Sequence, residues 1–126
     1  MKLLGKYWRE ERGSGAAEFT IVLLPFAALI FAIVHLSLLF YANQTLQFAT
    51  EAAARCYSVD AVNCSTTGAV QTYASGKYKG PNISANFSAL AYPTGCGHTV
   101  TGSGTYQLNA VFKNVSVPLS ATACFP

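Results

Sequence analysis

Few side chains in this sequence are equipped for chemistry, and their positions limit what that chemistry can be. Four cysteines, Cys56, Cys64, Cys96 and Cys124, all lie in the C-terminal part of the chain. The two histidines differ in setting: His35 lies inside a long apolar run, and His98 follows Cys96 by two residues. Past residue 42 there is one histidine, one aspartate (Asp60) and one glutamate (Glu51), too few for a nucleophilic triad or a carboxylate pair. Cys96-Gly97-His98 lacks the paired spacing of a zinc site, so neither a metal nor another cofactor is expected, and the protein is not expected to be an enzyme. Glu18 is different. It stands immediately before the apolar run, where an ionised carboxylate is costly and usually has a partner. Alternatively it complements the dipole of a first helical turn.

The elements that hold these residues follow from charge and periodicity. Charged residues make up only 10% of the chain and apolar ones 52%, against a usual charged share of about 25%. Residues 19–50 contain no charge, and residues 19–42 are nearly all apolar. At ~1.5 Å per residue that stretch spans about 36 Å as a helix, enough to cross a hydrocarbon core of roughly 30 Å. It exceeds the apolar part of a cleaved secretory signal and is followed by Asn43, Gln44 and Thr45 rather than by a small-residue cleavage site. Lys2, Lys6, Arg9 and Arg12 precede it, which places the N-terminus in the cytoplasm and the remainder outside. A net charge of +3 without a basic stripe gives no sign of a nucleic-acid partner.

Helical periodicity continues beyond the apolar run. Ala42, Leu46, Ala49, Ala53 and Cys56 recur at steps of four and three, with Gln44, Gln47, Glu51 and Arg55 largely opposite. One helix is therefore predicted from about Ala16 to Tyr57, amphipathic in its last third. A loop over 58–67 leads to a short helix over 66–78, capped by Ser65 or Thr66, with Val70, Tyr73 and Ala74 on one face.

From Asn82 the period becomes two. Ile83, Ala85, Phe87, Ala89 and Ala91 form one alternating set, Tyr106, Leu108, Ala110 and Phe112 a second, and Val115, Val117, Leu119 and Ala121 a third. Residues 92–97 and 101–104 read as turn-rich separators. The fold class is α+β: a long N-terminal helix packed against an antiparallel meander of three or four strands, with Pro118 on an edge strand or at a bulge. A domain of residues 58–126 is short for stability from its core alone. Two disulfides are expected, in agreement with an exported location. Three connectivities are possible; proximity favours Cys56–Cys64 and Cys96–Cys124, contributing about 2.6 and 3.6 kcal/mol by loop entropy.

Before the apolar run stands Arg12-Gly13-Ser14-Gly15-Ala16-Ala17-Glu18-Phe19. This segment resembles the processing site of the tight-adherence (Tad, or Flp-type) branch of type IV pilins, and most of all the TadE-like pilin-like proteins. The resemblance covers about residues 9–57. It implies a leader of residues 1–13, cleavage by a prepilin peptidase between Gly13 and Ser14, and retention of the apolar helix as an assembly surface together with Glu18 and Phe19. Gly13 and Ser14 would offer the peptidase an unhindered, extended peptide. Cleavage would create an α-amine at Ser14 with a pKa of about 7.7–8.0. The resemblance implies that Glu18 neutralises such an amine on a neighbouring subunit, the spacing within one helix reading as poor for a direct pair.

The resemblance also implies the partners: the inner membrane, the peptidase, and other pilin or pseudopilin subunits. The location is a single-pass inner-membrane protein with a periplasmic or extracellular domain, with incorporation into a surface pilus among the implied roles. Major subunits of the family are little more than leader and helix, so the sheet domain points to a minor component in assembly or secretion. Two other readings stand beside it. One is an adhesive module at a filament tip, supported by Tyr78 and Tyr92 in loops; the other is an uncleaved, signal-anchored exported protein. Pro25 is expected to loosen the helix locally. His35 is expected to hydrogen-bond within a packed bundle.

Overall fold

A computed structural model describes residues 12–90, 95–110 and 113–126, with side chains from residue 15 onward. The leader up to residue 11, and the strand and loop positions assigned to Ala91, Tyr92, Val111 and Phe112, lie outside the described residues. The chain divides into two compact units, Met1–Leu36 and Ser37–Pro126. Helix α1 (Arg12–Val59) runs through both, starting four residues earlier and ending two later than its periodicity predicts. It continues through Pro25. In the first unit the described residues are helix alone.

The second unit adds α2 (Thr67–Lys77), β1 (Asn86–Ala89), β2 (His98–Asn109) and β3 (Asn114–Phe125). The strands form one antiparallel sheet in the order β1-β2-β3, so the architecture is α+β, a long apolar helix with a small three-stranded sheet. All five residues of the predicted helical stripe, Ala42, Leu46, Ala49, Ala53 and Cys56, are buried, and Thr50 and Ala54 join them. Small side chains dominate this face because the sheet lies close against it. Thr50 is accommodated there because its hydroxyl donates to the Leu46 carbonyl at 2.7 Å. Cys64, together with Val70 and Ala74 of α2, Ile83, Phe87 of β1, Val100 and Tyr106 of β2, and Ala121 of β3, completes the core.

Two expectations about the strands need correction. Residues 101–104 are not a separator: Thr101, Gly102, Ser103 and Gly104 lie in the middle of β2, paired with Thr122–Leu119 of β3. Their glycines serve close approach rather than a turn. A Cβ on Gly102 would stand 2.6 Å from Thr50 Oγ1, 2.9 Å from Phe87 Cε1 and 3.1 Å from Leu46 Cδ1. A Cβ on Gly104 would meet Ile83 Cδ1 at 2.7 Å. The first strand is also shorter than its alternation. Ile83 is buried as expected, but Ser84 has a positive φ of 51°. That residue, whose amide donates to Asn82 Oδ1 at 3.1 Å, ends regular pairing before Asn86. The Ile83 carbonyl still accepts from Thr105 at 2.8 Å, which holds the segment beside β2. Pro118 is found in β3, an edge strand where its missing N–H costs no ladder bond on the open side.

Both disulfides of the favoured connectivity are present, Cys56–Cys64 and Cys96–Cys124. The first closes the turn after α1, and Asp60 organises that turn from inside. Its carboxylate accepts from the amides of Val62 (3.1 Å) and Asn63 (3.0 Å) and from the Asn63 side-chain amide (2.7 Å). The Asn63 side chain first, and its backbone amide next, hold the Asp60 pKa below its ordinary 3.8. A depressed folded pKa means that the turn's contribution is fully present above the ordinary value and is lost as pH falls through the folded one. In a carbon-detected NMR titration, Asp60 is expected to show its midpoint below 3.8. A midpoint at or above that value would show that these hydrogen bonds do not persist in solution. Thr66 caps α2 by accepting from Ala69 at 3.2 Å, one of the two caps expected.

Candidate processing and assembly segment

Gly13 and Ser14 lie in the first turn of α1 and not in an extended peptide ahead of it. The first turn is the part of a helix most readily unwound, since its leading amides lack intrahelical acceptors. A peptidase acting there must open that turn. The helical start also changes the relation of Ser14 to Glu18. They are four residues apart in one helix, a spacing at which positions share a face.

Glu18 is exposed at the start of an uncovered apolar surface. Phe19 is 66% exposed and Leu24 75%, and every side chain from 15 to 34 is exposed except the half-buried Ala27. Such a surface is not tolerated in water over five helical turns. Among the described residues, α1 is the one helix long and apolar enough to cross a membrane, and its most apolar window is entirely unburied. His35 lies farther along, half-buried, with Nδ1 lacking a hydrogen-bond partner among the described residues.

The other singled-out residues are engaged within the second unit. Cys96 is bonded to Cys124, and the His98 ring packs on Tyr57 with centroids 4.4 Å apart. No group of three or more potential metal ligands occurs among the described residues. Tyr78 is half-buried and its hydroxyl donates inward to the Pro81 carbonyl at 2.6 Å. Burial chiefly raises its pKa above the ordinary 10. An open groove of about 810 Å³ runs between the end of α1, α2 and the end of β3, lined by Phe48, Arg55, Val59, Tyr73, Lys77 and Phe125 among others. Sequence reasoning missed Tyr41, whose hydroxyl donates to the Lys79 carbonyl at 3.1 Å and ties the end of the apolar run to the chain before β1. The aromatic at the boundary was legible; its partner 38 residues on was not.

The class defined by these observations is a long apolar helix, of a length and composition that suit a membrane anchor, followed by a small disulfide-bonded sheet domain. Residues 13–55 match the family model described as TadE-like protein. The match begins on Gly13, takes in Glu18, Phe19 and the apolar run, and ends one residue before Cys56. It is consistent with a TadE-like protein of Tad pilus systems, a structural and pilus-associated family rather than an enzyme family. No match was found among curated proteins or among solved structures.

Proposed function

We propose that the protein is a minor pilin or pseudopilin of a Tad-type pilus or secretion apparatus, cut by a prepilin peptidase between Gly13 and Ser14. The observation that carries this reading is the extent of the TadE-like match, which opens on the residue before the proposed cut and runs the length of the uncovered helix. After cleavage the helix stays in the inner membrane as the surface on which subunits associate, with the disulfide-bonded domain outside. Glu18 offsets the new amine of Ser14, on its own helix or on a neighbour's, and so lets the charged end of the helix enter an apolar bundle. Two opposite charges about 4 Å apart in a partly desolvated site interact by about 4 kcal/mol. That is enough for loss of the carboxylate to be felt in assembly.

The test is the N-terminal mass of the protein from membranes of cells with and without the peptidase. The expected result is a start at Ser14 only where the peptidase is present, abolished in Gly13→Ala, with Glu18→Gln still cut but no longer assembled. An intact Met1 start in both strains would leave an uncleaved, signal-anchored protein. The adhesive alternative would be favoured if variants of the sheet domain lost adhesion with filaments intact.

A further inference from the structure

The β2–β3 hairpin is longer than the core it covers, and the excess lies toward the apolar end of the helix. Direction is set by contacts within the second unit. At one end of β2, His98 packs on Tyr57, and the Ser58 hydroxyl donates to Pro126, beside the end of β3. Farther along β2, Gly102 lies against Thr50 and Leu46. The strand therefore runs back along α1, toward Ala42. From Gly102 to Asn109 it advances about 23 Å at ~3.3 Å per residue. From the Leu46–Thr50 level to Ala42 the helix covers only about 9 Å at ~1.5 Å per residue. Even if the strand were inclined by ~40° to the helix it would advance about 18 Å, so the hairpin passes Ala42.

The side chains on this overhang match that position. Tyr106 and Val117 face each other across the hairpin, and one step on toward its end so do Leu108 and Val115. They share the face whose earlier members are core, yet burial declines along it: Tyr106 is 6% exposed, Leu108 is half-buried and Val115 is 43% exposed. Leu39, inside the apolar run, is itself partly buried against the core. Lys113 is exposed beside this pair. A large aliphatic on a core-type face with no core left to cover it, next to one cation and level with the end of a membrane-type helix, is the composition of an interfacial contact.

We propose that the β2–β3 hairpin is a second membrane contact. Leu108, Ala110 and Val115 dip into the outer-leaflet interface beside the end of α1, with Lys113 at the level of the lipid phosphates. This rests on the membrane reading of α1, and the experiment separates the two.

The full chain, with its single tryptophan removed by Trp8→Phe, is made as three variants: Phe31→Trp in the apolar run, Val115→Trp in the hairpin, and Val62→Trp on the turn after α1, a site 87% exposed. Each is reconstituted in phosphatidylethanolamine–phosphatidylglycerol vesicles with and without lipid brominated near the glycerol end of its acyl chains. Absence of free thiols verifies that the disulfide-bonded fold is intact. At an interfacial depth of roughly 5–10 Å, tryptophan at 115 is expected to lose about half of its emission to the brominated lipid and to shift to the blue, with 31 quenched and 62 unaffected. If 115 stays as bright as 62 while 31 is quenched, the hairpin proposal is wrong and the anchor stands. A response at 115 to protein dilution in lipid, without quenching by bromine, would mean that a second copy covers the hairpin, and would also overturn it. Loss of quenching at 31 removes both.

Discussion

Replacing Gly102 with valine is expected to destabilise the sheet domain by about 3 kcal/mol, the upper part of the range for overpacking a well-filled core. Contact geometry is the reason. The first added carbon meets Thr50, Phe87 and Leu46 at 2.6–3.1 Å, so three side chains from two elements must give way together. Thr50 cannot turn aside cheaply, because its hydroxyl would lose the Leu46 carbonyl in a site without water access. Valine is otherwise well suited to a strand, so a propensity argument alone predicts the opposite sign. The matched control is Gly76→Ala in α2, where an added carbon meets nothing within 4 Å. There the expected change is a gain of about 0.5–1 kcal/mol from helix propensity. Urea unfolding of the full chain in detergent, followed by near-ultraviolet circular dichroism, reads both. A neutral Gly102→Val would mean that β2 does not lie against α1 as described.

Removing the Cys96–Cys124 bond by paired alanine substitutions is expected to cost about 3.6 kcal/mol from loop entropy. Of the roughly 5–15 kcal/mol that a small domain holds in total, that is a large share, so the variant should be cut by protease markedly faster than the parent. This bond fixes the far end of β3 to the start of β2, and Thr99 Oγ1 supports it at 3.4 Å from Cys124 Sγ. The Cys56–Cys64 bond closes a shorter loop, so its removal should cost about 2.6 kcal/mol, less by about 1 kcal/mol. Asp60 and Asn63 also hold that turn through hydrogen bonds of their own, which softens the loss. Limited trypsin digestion of the membrane-inserted protein compares the two variants. Equal resistance of the Cys96/Cys124 variant and the parent would remove the claim that this bond is the domain's staple.

The proposed processing and the stability predictions bear on different ends of one helix. If the proposed processing holds, a chain unfolded at Gly102 should still be cut at Gly13, since the match to the TadE-like family involves none of the sheet. A chain uncut at Gly13 should still fold outside the membrane. Scoring both properties in the same strains therefore separates a failure of export and folding from a failure of assembly.

How much of this was legible beforehand depends on whether a signal is local. The stripe Ala42–Leu46–Ala49–Ala53–Cys56 and the apolar run are properties of one helix, whose geometry repeats regardless of what packs on it, so spacing alone identified the buried face. Gly13, Ser14, Glu18 and Phe19 were singled out as candidates in the same way, as a short motif before an apolar segment. The relation of Ser14 to Glu18 depends further on where the helix starts, which spacing alone does not give. Thr101–Gly104 shows the opposite case. Glycine and serine in sequence signal a turn, and only the neighbours pressing on Gly102 and Gly104 show that they mark a strand's closest approach to a helix. The reach of the hairpin past Ala42 was equally invisible, since it compares a rise of ~3.3 Å per residue in one element with ~1.5 Å in another. Local spacing was enough for the helix, its two faces and the class of the sheet. Tertiary structure decided which glycines are packed, where the strands end and which apolar residues remain uncovered, because those properties belong to pairs of elements and not to either one.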